Sequence, residues 1–236
     1  MTEGPVDAAV LDALRKLDTP TVCNALEIAA PERRGYGYTV EPLVCARTDL
    51  PPIVGYARTA TIRAMQPSHD DAETAKAKRL AYYTHVAEGP GPTVTVIQDL
   101  DGGRIGYGAF WGEVNSNIHK GLGCLGVVTD GSIRDLEDIA DGFQLLAGRV
   151  GPSHAHVHLV DVGGTVNVAG MVVSPGDLIH ADRHGAVVIP ANVAAEVPAA
   201  AELISRREAV ILKAAKSPDF DIEKLKQAMA DQAEIH

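Results

Sequence analysis

The sequence predicts a layered α/β fold, with strands and helices in an α/β/β sandwich and further helices at the C-terminal end. Three observations support this class. The centre of the chain alternates predicted strands and helices, residues 144–190 have the pattern of strands and turns, and residues 194–233 have long helical patterns. With 236 residues, 46% of them hydrophobic, the chain can build a substantial core. We expect residues 1–236 to form one domain, with a helical extension from about residue 194.

The N-terminal part begins with two predicted helices. Residues 7–17 have apolar residues at helical spacing, and Asp18-Thr19-Pro20 marks the end of this helix and the start of a second one, which reaches about Ile28. Alternation of small or apolar with polar residues predicts a strand over residues 55–65. Residues 70–86 have a helical pattern.

The central part repeats a strand, a loop and a helix. A β-branched run predicts a strand over residues 93–98, and a glycine-rich loop at residues 102–112 precedes a short predicted helix over residues 113–120. A second buried strand is predicted over residues 125–129, closed by Asp130-Gly131, and we expect another helix to begin in residues 134–139. This alternation is typical of an α/β domain.

The C-terminal part changes from short strands to long helices. Strands are predicted at residues 156–162, 170–173, 177–181 and 185–190, and helices at residues 194–215 and 222–233. Only ten residues are aromatic, so we expect a core built mostly from Ala, Val, Leu and Ile.

The composition also limits the partners. The net charge is −10, which repels phosphate backbones and anionic lipids, so we expect neither a nucleic acid nor a membrane partner. No segment approaches the roughly 18 apolar residues of a membrane span, and the N-terminus lacks the pattern of a signal peptide. We therefore expect a cytoplasmic protein. Cys23, Cys45 and Cys124 form no C-x-x-C pair and are predicted to be buried thiols.

The glycines at positions 121, 123 and 126 match the letters of a dinucleotide-binding G-x-G-x-x-G motif. Such a loop must follow a strand and open a helix, whereas here a predicted helix precedes the glycines and a strand follows them. The pattern therefore predicts the end of a helix and a tight turn.

Three histidines alternate at His154, His156 and His158. Alternate residues share one face of a strand, and two such imidazoles can bind one zinc ion. Successive residues on one face are about 6.8 Å apart, so the outer two histidines of a straight strand are too widely separated to share one ion. A polar strand face or a subunit contact is the favoured interpretation, with a zinc site as the alternative.

Residues 111–138 carry the strongest functional pattern. Glu113 begins a predicted helix, and Arg134 and Asp135 follow the next predicted strand. Loops of this kind collect at one edge of an α/β sheet. There, the backbone N–H groups of Val114 and Asn115 and the side chain of Arg134 could bind an anion, and Asp135 could bind Mg²⁺. The alternative is that Arg134 and Asp135 only cap a helix and form surface ion pairs.

This segment resembles the signature of the RraA-like family, whose members include class II pyruvate aldolases acting on 4-hydroxy-4-methyl-2-oxoglutarate and 4-carboxy-4-hydroxy-2-oxoadipate. The aldolase pattern is an acidic residue, twenty positions, Arg-Asp, two positions and an acid, and it is matched here by Glu113, Arg134, Asp135 and Asp138. Similarity extends to residues 17–26 (LDTPTVCNAL), 55–60 (GYARTA) and 174–190 (SPGDLIHADRHGAVVIP).

The resemblance implies a fold related to swivelling phosphohistidine-type domains and an assembly as a homotrimer or homohexamer. It also implies roles. Asp135 would bind Mg²⁺ or Mn²⁺, Glu113 would hold the ion through water, and Arg134 would contact the keto oxygen of a small 2-oxo acid whose carboxylate binds the amides of Val114 and Asn115. Glu208 is similar to a glutamate that acts through water from an adjacent subunit.

The implied activity is release of pyruvate from a 4-hydroxy-2-oxo acid, together with decarboxylation of oxaloacetate. The alternative is a non-catalytic regulator that resembles the RNase E inhibitor of the same family. Acids at both Glu113 and Asp135 favour catalysis.

Overall fold

The computed structural model describes residues 5–235. It contains a mixed α/β fold with a curled sheet and C-terminal helices, as predicted. The helices are α1 (Ala8–Leu14), α2 (Thr19–Ala29), α3 (Ala72–Ala87), α4 (Glu113–Gly121), α5 (Val197–Ala215) and α6 (Ile222–Ala233). The strands are β1 (Val44–Cys45), β2 (Ile53–Arg63), β3 (Thr93–Asp99), β4 (Ala109–Trp111), β5 (Cys124–Ile133), β6 (Gln144–Val150), β7 (His158–Val162), β8 (Val166–Val168), β9 (Met171–Val173), β10 (Leu178–Asp182) and β11 (Gly185–Ile189).

The main sheet has the strand order β1-β6-β5-β3-β2-β10-β11, and β4 and β7 pair with β5 and β2. The central strands β2, β3, β5 and β6 are parallel, whereas β1, β7, β10 and β11 pair antiparallel. Strands β8 and β9 form a separate hairpin. Because β4 runs parallel to the last residues of β5, the segments that follow these two strands meet at one edge of the sheet.

Three clusters of buried residues form the core. One lies between the helices α1, α2 and α5 and the strands β10 and β11, and a second joins the sheet to the β8–β9 hairpin. The third packs α3 and the centre of the sheet around Trp111 and Phe143. Most of the members are Ala, Val, Leu and Ile, as the low aromatic content predicts.

The predicted helices are confirmed except one. Residues 134–139 form a turn instead of a helix, because β5 does not end at Asp130-Gly131 but continues to Ile133. The strand passes an irregularity in its pairing with β6 between Thr129 and Ser132. Asp135 then adopts a left-handed conformation with φ of 53°, which ends the extended chain and begins a turn closed by a hydrogen bond from the Asp138 N–H to the Asp135 carbonyl.

The histidine motif does not lie on one strand. Residues 154–157 form a loop and turn, and β7 begins only at His158, so the predicted strand start at His156 is wrong. The Nδ1 atoms of His154 and His158 each hydrogen-bond to a nearby backbone carbonyl oxygen. Within residues 5–235, no group of three His, Cys, Asp or Glu side chains is arranged to hold a metal ion.

The glycine motif lies in the context that the sequence predicts. Helix α4 ends at Gly121 and β5 begins at Cys124, with Gly123 in a left-handed conformation between them. Cys124 is buried, whereas Cys23 and Cys45 are only half-buried. None of the helices in the described part of the chain is long and apolar enough to cross a membrane.

Candidate functional site

A cleft of about 370 Å³ lies where α3, the N-terminal end of α4 and the end of β5 meet, and we call it the Arg134 cleft. Its lining residues are Arg79, Tyr83, Ala109, Phe110, Gly112, Val114, Asn115, Ile118, Arg134, Asp135, His154 and Val157. The side chains of Arg134 and Asp135 are 38% and 36% exposed, so both are accessible from solvent. The cleft is therefore lined by four of the predicted site residues, namely Val114, Asn115, Arg134 and Asp135.

The Arg134–Asp135 pair is held against the start of α4. The Arg134 N–H donates a hydrogen bond of 2.9 Å to the carbonyl of Trp111, which fixes the chain after β5 beside the chain after β4. The Oδ2 atom of Asp135 lies 3.5 Å from the Arg134 Nε atom and 3.4 Å from the backbone nitrogen of Glu113. The Arg134 guanidinium and the Asp135 carboxylate therefore both lie beside the start of α4.

The first turn of α4 supplies the backbone part of the site. Glu113, Val114 and Asn115 are its first three residues, and the first N–H groups of any α-helix lack partners within the helix. With the partial positive charge of the helix N-terminus, such groups attract anions. The side chains of Glu113 and Val114 are exposed, and the Val114 residue is 68% accessible. The turn can therefore receive a carboxylate without rearrangement of the core.

The Asn115 side chain has a fixed orientation. Its Oδ1 accepts a hydrogen bond of 2.9 Å from the Tyr83 hydroxyl, and its Nδ2 donates to the carbonyl of Phe110. Both residues that bond to the Asn115 side chain, Tyr83 and Phe110, also line the Arg134 cleft. The contact between Tyr83 and Asn115 joins α3 to α4 and sets the separation of these two walls.

A buried histidine supports α4 from behind. The carbonyl of Asn115 can only accept, so the His119 Nδ1 atom, 2.6 Å away, carries the proton and donates it. The Nε2 atom is then an acceptor for the Tyr82 hydroxyl at 2.6 Å. Desolvation by burial lowers the pKa of His119 to about 4, and the hydrogen bond to Asn115 offsets this only in part. His119 is therefore neutral at physiological pH and binds α4 to α3.

Two predicted site residues lie outside the lining of the Arg134 cleft. Glu113 is adjacent to it, at the exposed start of α4. Glu208 is exposed on α5, which packs against α1, α2 and α6 within the same chain. The structure of one chain therefore brings together Arg134, Asp135 and the first turn of α4, but not Glu208.

The contribution of α3 to the cleft is not visible in the sequence. Arg79 and Tyr83 line the cleft one helical turn apart, and no local pattern shows that α3 crosses beside α4. The histidine pattern favours a polar strand face or a subunit contact, with a zinc site as the alternative, whereas His154 lines the cleft. The backbone of His154 can lie this close to residue 108 because that residue is glycine: a Cβ there would be 2.5 Å from the His154 carbonyl oxygen.

The family model described as RraA-like, Aldolase/RraA, matches residues 19–188. The chain belongs to the RraA-like family. The matched range contains every residue that lines the Arg134 cleft, whereas α5 and α6 follow it. The RraA-like family includes both aldolases and RNase inhibitors, so membership alone leaves the activity open.

Two solved structures have a similar fold. An uncharacterized protein from Pseudomonas syringae pv. tomato str. DC3000 has a TM-score of 0.68 and 24% identity, covering 96% of this chain and 99% of that chain. An unusual member of the RNase ES inhibitor RraA protein family from Streptomyces coelicolor has a TM-score of 0.67 and 24% identity, covering 89% and 98%. At these identities the similarity shows the RraA-like fold alone.

A curated relative is also similar in sequence. An uncharacterized protein of Methanocaldococcus jannaschii is 37% identical over 102 residues, which are 42% of this chain. The match spans 49% of the length of that relative.

Proposed function

We propose that this RraA-like protein is a divalent-metal-dependent lyase. It cleaves a C–C bond of a 4-hydroxy-2-oxo acid to release pyruvate, and it also decarboxylates oxaloacetate. The observation that carries the proposal is the common position of Arg134 and Asp135 in a solvent-accessible cleft at the start of α4. A guanidinium, a carboxylate and helix N–H groups together match the needs of a 2-oxo acid and a dication.

The donor set fits Mg²⁺ or Mn²⁺. Mg²⁺ usually keeps several waters and takes only one or two protein carboxylates, so Asp135 alone suffices as a direct ligand. Gly112 leaves the space that the Asp135 carboxylate occupies, since a Cβ at residue 112 would lie 2.4 Å from Oδ2. In the proposal Asp135 holds the ion directly and Glu113 holds it through water. When bound, the ion supplies positive charge at the C2 oxygen, which is worth several kcal/mol in the transition state.

The protein residues orient the substrate. The N–H groups of Val114 and Asn115 bind its C1 carboxylate, and the Arg134 guanidinium donates hydrogen bonds to the C2 keto oxygen. As the C3–C4 bond breaks, its electron pair moves toward this oxygen, where Arg134 meets the developing negative charge. A positioned donor of this kind contributes about 3 kcal/mol.

The two reactions differ in their need for a base. In aldol cleavage the proton of the C4 hydroxyl is removed, C4 becomes a carbonyl carbon, and a proton returned to C3 completes pyruvate. We assign this proton transfer to Glu113, acting through a water at the exposed start of α4. In oxaloacetate the C4 carboxylate leaves as CO₂, so no base is needed, and only the protonation of C3 remains.

We also propose that the protein assembles as a homotrimer or homohexamer. In this assembly Glu208 of one subunit approaches the Arg134 cleft of its neighbour, where it holds the ion through water. The exposure of Glu208 on α5 is compatible with such a contact. Light scattering of the purified protein tests this part, since a monomer at micromolar concentration would contradict it.

The experiment that tests the function measures pyruvate release from oxaloacetate and from 4-hydroxy-4-methyl-2-oxoglutarate, with Mg²⁺, Mn²⁺ or a chelator. We expect turnover with both substrates that requires the metal. Because free dications decarboxylate oxaloacetate slowly, a reaction without protein is subtracted. Absence of turnover with both substrates would contradict the proposal and favour a regulator.

A further inference from the structure

We infer that His154 is the acid that returns a proton to C3 as pyruvate forms, and the base that removes a C3 proton when pyruvate binds. The inference rests on the proposed lyase function and adds a further catalytic residue to it. Both proposed reactions need this step, because breaking the C3–C4 bond leaves the enolate of pyruvate in either case. Glu113 is assigned only to the proton of the C4 hydroxyl.

His154 lies on the lining of the Arg134 cleft, beside the start of β4. The carbonyl of Ser153 accepts a hydrogen bond of 2.9 Å from the N–H of Ala109, the first residue of that strand. At the other end of β4, the carbonyl of Trp111 accepts from the N–H of Arg134. The two contact points are two residues apart, which is about 7 Å along a strand. A small 2-oxo acid bound by Arg134 can therefore also reach His154.

The hydrogen bond of the His154 ring defines which nitrogen can take a proton. Its Nδ1 atom lies 2.7 Å from the carbonyl oxygen of Ala155, which can only accept, so Nδ1 carries a proton. The Nε2 atom of the neutral ring is then an acceptor. Ala155 adopts a left-handed conformation with φ of 45°, and residues in such sparsely populated conformations cluster at active sites. The ring can accept and return a proton at Nε2 while its Nδ1 bond is kept.

The other titratable groups on the cleft lining are not suited to this step. Arg79 and Arg134 stay protonated at any working pH. Burial raises the pKa of Tyr83, although the positive charge of Arg79 lowers it in part, and the hydroxyl donates its hydrogen bond to α4. Asp135 is the proposed metal ligand. Imidazole both gives and takes a proton near neutral pH, so His154 is the suitable group among the described residues of the lining.

The step balances without a further reactant. Once the C3–C4 bond has broken, the protonated His154 gives the proton of Nε2 to C3. The electron pair of the C2–C3 double bond forms the new C–H bond, and a lone pair of the C2 oxygen restores the keto group. His154 becomes neutral, and because this residue is exposed, solvent supplies its next proton.

The reverse of this step gives a readout that requires no cleavage. Bound pyruvate loses a methyl proton to Nε2 of His154, and the exposed ring exchanges that proton with solvent. The wild-type protein with Mg²⁺ should therefore exchange the methyl protons of pyruvate in D₂O, which NMR measures as loss of the methyl signal. His154→Gln should lower the exchange rate about 10²- to 10⁴-fold, the usual contribution of a general acid–base group.

His156→Gln is the matched control. It makes the same substitution in the same loop, at an exposed histidine that does not line the cleft, and it should exchange methyl protons at the wild-type rate. Both variants should unfold at the temperature of the wild-type protein, because both histidines are exposed. A loss of exchange in His154→Gln alone would then reflect the missing imidazole.

The possible outcomes separate the inference from the proposed function. If His154→Gln exchanges methyl protons as fast as the wild-type protein, or if His156→Gln loses as much, the assignment of His154 is wrong while the lyase function stands. The assignment is also wrong if the wild-type protein releases pyruvate from oxaloacetate but exchanges no methyl protons. If the wild-type protein does neither, the proposed function fails, and with it the inference.

Discussion

The Asp135 carboxylate occupies the space in which a side chain at Gly112 would lie. A Cβ at residue 112 would be 2.4 Å from Oδ2 of Asp135 and 3.2 Å from Cγ of Arg134. Gly112 has an extended backbone, with φ of −174°, so the need for glycine comes from this contact and not from the backbone conformation. The start of α4 and the Arg134–Asp135 turn therefore fit together only without a side chain at residue 112.

Replacing Gly112 should damage activity more than stability. In Gly112→Ala the methyl group displaces Asp135 and Arg134, and a displacement of about 1 Å at a reacting centre costs up to about 100-fold in rate. We expect pyruvate release to fall at least tenfold. Thermal unfolding should change little, because both displaced side chains are partly exposed.

Gly121→Ala is the matched control for this substitution. Gly121 ends α4, and a Cβ there would meet no atom within 4 Å. This variant should retain near-normal pyruvate release. Equal activities of the two alanine variants would show that the contact between Gly112 and Asp135 has no functional importance.

Glu113→Gln should separate the two proposed reactions. The substitution keeps the size of the side chain but removes the base, so aldol cleavage should fall about 10²- to 10⁴-fold. Oxaloacetate decarboxylation needs no base and should fall much less. The check is kcat/KM for each substrate with the same metal, and equal losses would refute the assignment of Glu113 as the base.

Buried His119 should make stability depend on pH. Its folded pKa of about 4 lies below the ordinary value of 6.5, so the unfolded chain binds the proton more readily between these two values. The contribution of neutral His119 to stability is therefore fully present above pH 6.5 and is lost as the pH falls toward 4. Between pH 7 and pH 5 this histidine should cost about 2 kcal/mol of unfolding free energy.

Comparison with His119→Phe isolates this effect from other titrating groups. Burial raises the pKa of Asp130 to about 6, which acts in the opposite direction because the folded state then binds the proton more readily. Chemical denaturation of both proteins at pH 7 and pH 5 gives the difference in stability at each pH. The unfolding free energy of the wild-type protein, relative to that of His119→Phe, should be about 2 kcal/mol lower at pH 5 than at pH 7. An equal difference at the two pH values would contradict the role of His119.

The sequence predicts most of the regular elements because their patterns are local. The pattern of residues 222–233 predicts helix α6 with the bounds that the structure has, and the strands predicted at residues 177–181 and 185–190 correspond to β10 and β11. The structure places Val114, Asn115, Arg134 and Asp135 along one cleft, and their roles stay a prediction. Parallel strands bring the segments that follow them to one edge, which a strand–helix alternation already implies.

The errors concern features that depend on distant neighbours. The pair Asp130-Gly131 has the composition of a turn, but pairing with β4 and β6 keeps β5 extended to Ile133. The contribution of α3 depends on contacts such as Tyr82 with His119, which are 37 residues apart. Local periodicity cannot reveal such contacts.

A double-mutant cycle tests the central claim most directly, namely that Arg134 and Asp135 act together on one 2-oxo acid. The measurement is Mn²⁺-dependent pyruvate release from oxaloacetate by the wild-type protein, Arg134→Ala, Asp135→Ala and the double variant. Each single substitution should lower kcat/KM about 10²- to 10³-fold, and the double variant should be little worse than either, because residues that act as a unit are not additive. Single variants that keep wild-type activity, or losses that multiply independently, would contradict the account.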